Sequence, residues 1–348
     1  MTHGGNVWED GVPTKWLDFS ANIRPEGAPR WVREALMGGM QDISYYPDMR
    51  MRRATEALAQ HLGLSAETVR PTAGGISALD LAARLPASGA LISTPCFGEY
   101  EELCLNRGLM VRKVSLLKGK CSLGGLAECV VPELFEGCAV WLCNPLNPIG
   151  VAFSKEQVKE LLMAVENARG WLIVDEAFIG YCSEHSMASE VGKHERLLVT
   201  GSMTKLLGIP GVRLGYLCAH PRALAGLERY QHTWELNCFA EAVLCALPGH
   251  ADEISKEARI NATRRDGLRH GLEALNAFVY PSEAAFLLAK FPCLVESVAE
   301  RLKSEGILVR QCMDFAGLDD GFHLRLAVKD EVSNARLLES LKKALHGK

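Results

Sequence analysis

The chain predicts an α/β protein built on a mostly parallel open sheet, and three observations carry that prediction. Continuous apolar runs recur between about residues 70 and 220, helical periods separate them, and polar or glycine-rich strings follow directly on the ends of the runs. The strand candidates are Ala90-Leu-Ile-Ser93, Ala139-Val-Trp-Leu-Cys143, Trp171-Leu-Ile-Val174, Leu197-Leu-Val199 and Leu214-Gly-Tyr-Leu217. Unbroken rather than alternating hydrophobicity marks strands covered on both faces. Between two of them, Val158, Leu161, Leu162 and Val165 repeat at a helical period, and Ser154 followed by Gln157 reads as a capping box opening that helix. Ligands of such sheets gather beyond the carboxyl ends of the strands. After about residue 240 the pattern changes. Residues 254–275 read as a long polar helix, followed by strands at Ala285–Leu288, Ile307–Val309 and His323–Ala327. The expected organisation is an N-terminal arm at 1–30 wrapping onto the second lobe, a large domain at 31–240 and a small α+β domain at 241–348.

A length of 348 residues favours two packed lobes over one. The chain is 48% hydrophobic and 23% charged, ordinary for a folded globular protein. A net charge of −4 argues against a general nucleic-acid or acidic-membrane surface, so an anionic ligand needs a local cluster of cations. Twelve cysteines are scattered through a chain too long and too apolar for a disulfide scaffold. Cys138 and Cys143 come nearest to a metal-type spacing, but no His/Cys group follows them; reduced thiols and no metal are expected. The start Met-Thr-His-Gly-Gly-Asn has no signal-peptide pattern, and no apolar run approaches the ~20 residues of a membrane helix. A cytoplasmic protein is the expectation.

The chemistry concentrates in Gly201-Ser-Met-Thr-Lys-Leu-Leu-Gly-Ile-Pro-Gly-Val-Arg213. One lysine, Lys205, stands among hydroxyl donors, glycines and an arginine, directly after an apolar run. A lysine amine condenses with an aldehyde to an imine, and pyridoxal phosphate then needs an anion cradle and a carboxylate for its ring nitrogen. Asp175 ends the run Trp171–Val174 and supplies that carboxylate; alone it would as readily cap a helix. Asn144-Pro-Leu-Asn-Pro-Ile-Gly150 follows another strand and offers the Asn147 amide to the phenolic oxygen. Pro71-Thr-Ala-Gly-Gly-Ile-Ser77 precedes a helical run, so the backbone N–H groups of Gly74, Gly75 and Ile76 are placed to receive phosphate. Ser202, Thr204 and Arg213 complete that cradle, the arginine by a bidentate grip. Phe97, beyond the strand Ala90–Ser93, is positioned to stack on the ring. Each piece alone has a blander reading as turn or core; their joint order along the chain is the signal.

With these motifs the chain resembles the fold-type I pyridoxal-phosphate enzymes of the class I/II aminotransferase group, from His3 to about Val328. Within that group it is most similar to the threonine-phosphate decarboxylase and histidinol-phosphate aminotransferase branch. The resemblance implies the aspartate-aminotransferase type of fold, with Lys205 as the imine lysine and Asp175 as the pyridinium partner. It implies that Tyr46, in Tyr45-Tyr-Pro-Asp48, reaches the neighbouring subunit's cofactor phosphate, hence a homodimer with shared sites. Arg325, in Leu324-Arg-Leu-Ala327, matches the arginine that clamps the substrate α-carboxylate.

Two features favour the decarboxylase side of the branch. His3-Gly-Gly-Asn6 with Asp18-Phe-Ser-Ala-Asn-Ile23 is similar to the decarboxylases, implying that His3 and Arg310 hold a substrate phosphate and that Asn22 lines the site. Phe178 stands where the aminotransferases typically carry tyrosine. The implied reaction is decarboxylation of O-phospho-L-threonine, or a close phospho-amino acid, to aminopropanol phosphate for cobalamin assembly. The alternative is a histidinol-phosphate aminotransferase. The choice turns on which Cα bond stands perpendicular to the imine plane, an angle that one sequence does not fix. Three positions depart from the family pattern. Ala73-Gly-Gly75 replaces Gly-Asn-Gly, Ile149 replaces a common threonine, and Arg24 stands where asparagine is frequent, either altering substrate choice or facing solvent. A transcription regulator would need a DNA-binding segment for which the chain has no spare length. A purely structural protein would have no use for Asp175, Asn147, Lys205 and Arg213 together.

Overall fold

A computed structural model describes residues 4–8, 11–119 and 122–346. Seven strands form the central sheet: β1 (Val69–Thr72), β2 (Gly89–Thr94), β3 (Val111–Ser115), β4 (Cys138–Cys143), β5 (Trp171–Glu176), β6 (Leu197–Ser202) and β7 (Gly215–Ala219). Their order is β1-β7-β6-β5-β4-β2-β3. β7 runs antiparallel to both neighbours, and the remaining pairs are parallel. Every residue of β2, β4 and β5 is buried, which is why those strands read as unbroken apolar runs. Each fully covered Leu, Ile or Val there contributes roughly 1.5–3 kcal/mol. Two strands escape the sequence pattern, β1 and β3, and both are the sheet's edges. An edge strand tolerates the proline of Val69-Arg-Pro-Thr72 and the cations of Val111-Arg-Lys-Val-Ser115.

The helix Lys155–Asn167 covers the sheet with Val158, Leu161, Leu162 and Val165, as its period predicts. Its capping box is formed: Gln157 N–H donates to Ser154 Oγ at 3.3 Å, and Ser154 N–H donates to Gln157 Oε1 at 2.9 Å. The helix after the Gly-Gly turn starts at Gly75, earlier than the apolar pattern around Ala78 suggests.

A second sheet has the order β8-β9-β11-β10, from β8 (Phe278–Val279), β9 (Phe286–Lys290), β10 (Arg310–Gln311) and β11 (His323–Ala327), all antiparallel. Leu268 and Leu272 of the helix Ala251–Glu273, together with Leu337 and Leu341 of Glu331–His346, pack on it. Phe19 from the start of the chain joins the same cluster, and Leu17-Asp18 pairs in parallel with Ile307-Leu308. The single strand expected at Ile307–Val309 is therefore two short ones serving different sheets. All cysteines among the described residues are free thiols, six of them buried. No helix among the described residues is long and apolar enough to cross a membrane.

Candidate active site

Asp175 sits at the carboxyl end of β5, opposite Cys143 of β4 and Thr200 of β6. Its Oδ1 accepts from the Ala177 N–H at 3.0 Å and from the Thr200 hydroxyl at 3.4 Å, while Oδ2 accepts from Tyr100. Burial raises its pKa above the ordinary carboxylate value, against these donors and the nearby Lys205, which lower it. Such a desolvated carboxylate gains from a cation brought to it by a ligand.

Lys205 follows β6. Its amine is buried, which lowers its pKa; Asp175 opposes that shift, and Arg213 and Arg325 reinforce it. Nζ donates to Thr204 Oγ1 at 3.2 Å, and Thr204 shares a hydrogen bond with Ser202 at 2.8 Å. Ser202 in turn borders Gly75. Gly74 has φ +87°, and a Cβ there would lie 2.7 Å from an Arg213 guanidinium nitrogen. Only glycine allows both that backbone angle and the approach of the arginine. Arg213 itself takes a left-handed backbone, φ 61°, a strain of about 1–2 kcal/mol of the kind that gathers at ligand sites. Gly74, Gly75, Ser202, Thr204, Lys205 and Arg213 thus form one contiguous cluster at a helix start.

Asn147 and Arg325 meet directly. Arg325 Nη1 donates to Asn147 Oδ1 at 2.8 Å, and Nη2 donates to the Ser20 carbonyl at 2.8 Å. Both acceptors are neutral, and Arg325 forms no ion pair among the described residues. Burial pushes its pKa down to about 10. Arg310 lies opposite Arg325 in the β10–β11 ladder. Asn22 is buried, and its Oδ1 has no hydrogen-bond partner among the described residues.

Other residues singled out from the sequence lie less centrally. Phe97 is half-buried, edge-on to Tyr100 at 5.9 Å between ring centres. Ile76 is partly exposed. Tyr46 is 80% exposed and stacks on Trp234 at 4.5 Å. His3 lies outside the described residues. Arg24 does not face solvent: its guanidinium pairs with Glu257 at 2.8 Å on the helix Ala251–Glu273, and its side chain is 19% exposed. Its backbone N–H donates to the Lys205 carbonyl at 3.1 Å. Close by, a Cβ on Gly208 would lie 2.5 Å from the Gly27 carbonyl carbon, so arm and lysine loop pack backbone to backbone.

Four supporting residues escaped the sequence reading. Tyr100 and Thr200 fix Asp175. Glu235 accepts from the Ala73 N–H at 2.9 Å and from the Ser77 hydroxyl, tying down the glycine turn. Asp314 holds Arg310, with both carboxylate oxygens on Nη2 at 2.7 and 2.8 Å. Only the last had a local signal, the i,i+4 spacing of opposite charges.

The aminotransferase class I and II family model matches residues 14–341. The chain belongs to this family. Threonine-phosphate decarboxylase of Salmonella typhimurium is 32% identical over 99% of this chain and 97% of that protein. The adenosylcobalamin biosynthesis bifunctional protein of Leptospira interrogans is 29% identical over 99% of this chain but only 41% of its own length. The crystal structure of histidinol-phosphate aminotransferase from Clostridium acetobutylicum superposes with a TM-score of 0.86 at 26% identity, covering 95% of this chain and 99% of that one. The family cofactor is pyridoxal phosphate, and the donor set fits it. The glycine-lined cradle with its arginine suits a phosphate, the desolvated Asp175 suits a protonated ring nitrogen, and the amine of Lys205 suits the aldehyde.

Proposed function

We propose that this protein decarboxylates O-phospho-L-threonine, or a close phospho-amino acid, to aminopropanol phosphate in cobalamin biosynthesis. The observation that carries the reading is the pairing of Arg310 with Arg325 on adjacent strands, beside Asn147. Phosphothreonine has two anionic groups, a carboxylate and a phosphate, for two neighbouring guanidiniums. Histidinol phosphate has no carboxylate, so in the alternative reading the clamp would serve the dicarboxylate 2-oxoglutarate instead. The extent and level of similarity to the Salmonella decarboxylase support the same choice.

Gly74, Gly75 and Ile76 would hold the cofactor phosphate through their N–H groups, with Ser202, Thr204 and Arg213 closing around it. Asp175 would meet the ring nitrogen, Asn147 the phenolic oxygen and Phe97 the ring face. Asn147 Oδ1 is committed to Arg325, which leaves the amide N–H groups as the donors. When bound, pyridoxal phosphate supplies an aldehyde for an amine and a ring that accepts the electron pair of a broken Cα bond. Arg325 holds the substrate carboxylate, an anion that suits a buried guanidinium with no ion pair among the described residues. Arg310, with His3, holds the phosphate, and Asn22 lines the site. The Cα–carboxylate bond breaks, CO₂ leaves, and Lys205 returns a proton to Cα. Burial lowers the pKa of the lysine, which eases the release of that proton.

The protein works as a homodimer in this reading. Tyr46 would reach the partner's cofactor phosphate from a surface where Met37, Met40, Ile43, Tyr45 and Met49 are all exposed.

Incubation with O-phospho-L-threonine tests the reading: CO₂ and aminopropanol phosphate are expected, and Lys205→Ala removes both. Turnover of histidinol phosphate with 2-oxoglutarate, without turnover of phosphothreonine, would assign the chain to transamination instead.

A further inference from the structure

Arg310 and Arg325 face each other across one ladder yet are held in opposite ways. Among the described residues Arg325 donates only to neutral acceptors, Asn147 Oδ1 and the Ser20 carbonyl. Arg310 is already matched by an anion. Its Nη2 donates to both oxygens of Asp314, its Nη1 donates to the Gln311 carbonyl, and the Phe315 ring lies under the guanidinium at 5.0 Å. The arginine side chain is 8% exposed and the aspartate's 27%, so the carboxylate stands on the open side of the pair.

We propose that Asp314 determines the substrate specificity of the distal anion subsite: it is an internal anion that occupies Arg310 and that the substrate phosphate must displace. The inference rests on the reading of Arg310 as the phosphate arginine. A second anion within about 4–6 Å of a carboxylate is disfavoured, so phosphate and Asp314 do not share the guanidinium at full strength. A hydroxyl has no charge with which to displace a charge-assisted pair. A phosphate brings up to two charges and three acceptor oxygens and can take the place. Asp314 therefore weakens the binding of the correct substrate while barring amino acids whose side chains end in a neutral group. Arg325, with no such occupant among the described residues, accepts any α-carboxylate; discrimination is left to Arg310.

The test uses the holoenzyme and the variants Asp314→Asn and Asp314→Ser, with O-phospho-L-threonine, histidinol phosphate plus 2-oxoglutarate, and L-threonine as ligands. Whichever phosphorylated substrate turns over is expected to show a KM about tenfold lower in both variants, a charged hydrogen bond no longer having to be broken. The change falls on KM rather than kcat. The inhibition constant of inorganic phosphate falls in parallel, and binding of L-threonine, followed by the cofactor's visible band, tightens, because its hydroxyl no longer meets an occupied guanidinium. KM and the phosphate inhibition constant unchanged or raised in both variants would overturn the proposal, because Asp314 would then be orienting Arg310 for its ligand. A crystal structure of the wild-type holoenzyme soaked in phosphothreonine gives an answer that needs no variant. The Asp314 carboxylate is expected to have left Arg310, and phosphate bound to Arg310 with the pair intact overturns the idea. If only histidinol phosphate turns over, the decarboxylase reading fails while the role of Asp314 is still judged on that substrate's KM.

Discussion

Tyr100 donates its hydroxyl hydrogen to Asp175 Oδ2 at 2.5 Å, and both side chains are buried. Burial raises the pKa of Asp175, and this hydrogen bond is foremost among the contacts that bring it back down. Tyr100→Phe removes the donor without removing the ring stacked on Trp141. Less of the carboxylate is then ionised to meet a ring nitrogen. A hydrogen bond to a charged group contributes about 1.5–3 kcal/mol, so the dissociation constant of pyridoxal phosphate is expected to rise roughly 10- to 100-fold. Fluorescence titration of the apoprotein measures it; an unchanged constant would show that Tyr100 is only packing.

Gly74→Ala attacks the cradle by shape alone. The new methyl meets Arg213 at 2.7 Å, and the backbone angle of φ +87° is strained for any other residue, by about 1–3 kcal/mol. The expected result is at least a tenfold loss of cofactor affinity with little change in the far-ultraviolet circular dichroism. Retention of wild-type affinity would mean that Arg213 moves away without consequence.

Glu176 follows Asp175 but binds inward, accepting from Ser186 Oγ and the Met187 N–H, each at 2.6 Å. Burial pushes its pKa up to about 7, outweighing those two donors. Between an unfolded value near 4.5 and this folded value, the native chain keeps a proton that the unfolded chain has released. Stability from Glu176 is thus present below pH 4.5 and is lost as the pH rises through about 7, an effect on the order of 3 kcal/mol. In Glu176→Gln the neutral amide can still accept from Met187 and donate to Ser186. Urea unfolding at pH 5 and pH 8 should show the variant gaining on the wild type at the higher pH. Parallel curves at both would count against a raised pKa.

Ile43→Glu places a charge in the exposed apolar stripe around Tyr46. Sedimentation equilibrium is expected to show dimer in the wild type and monomer in the variant, with weakened cofactor binding in the monomer. Tyr46→Ala should keep the dimer and lose only affinity for the cofactor. A wild-type monomer at micromolar concentration would remove the shared-site reading.

The strands that the sequence made legible are those with neighbours on both sides, because full burial writes itself as an unbroken apolar run. β3 was missed for the converse reason, because its Arg112 and Lys113 are exposed at the sheet's edge; β1 was missed because an arginine and a proline interrupt its short, mostly buried run. The lysine string, the glycine turn and the asparagine loop were legible because each lies within a few residues of a strand end. The Tyr100–Asp175 bond joins positions 75 apart, and no periodicity announces such a contact. The two alternatives for Arg24 stayed open in the sequence because its partner, Glu257, lies on a helix whose mostly polar sequence shows no preferred face.

The arm bonded to Arg325 and to the Lys205 loop has a consequence for how the molecule is made. Residues 17–20 leave the ribosome long before the ladder at 307–308 and the guanidinium at 325 that they meet. Contacts of such sequence separation close late and slowly. Until those later strands are made, residues 17–20 have no docking place, and a polypeptide stalled before them holds Lys205 without Arg325.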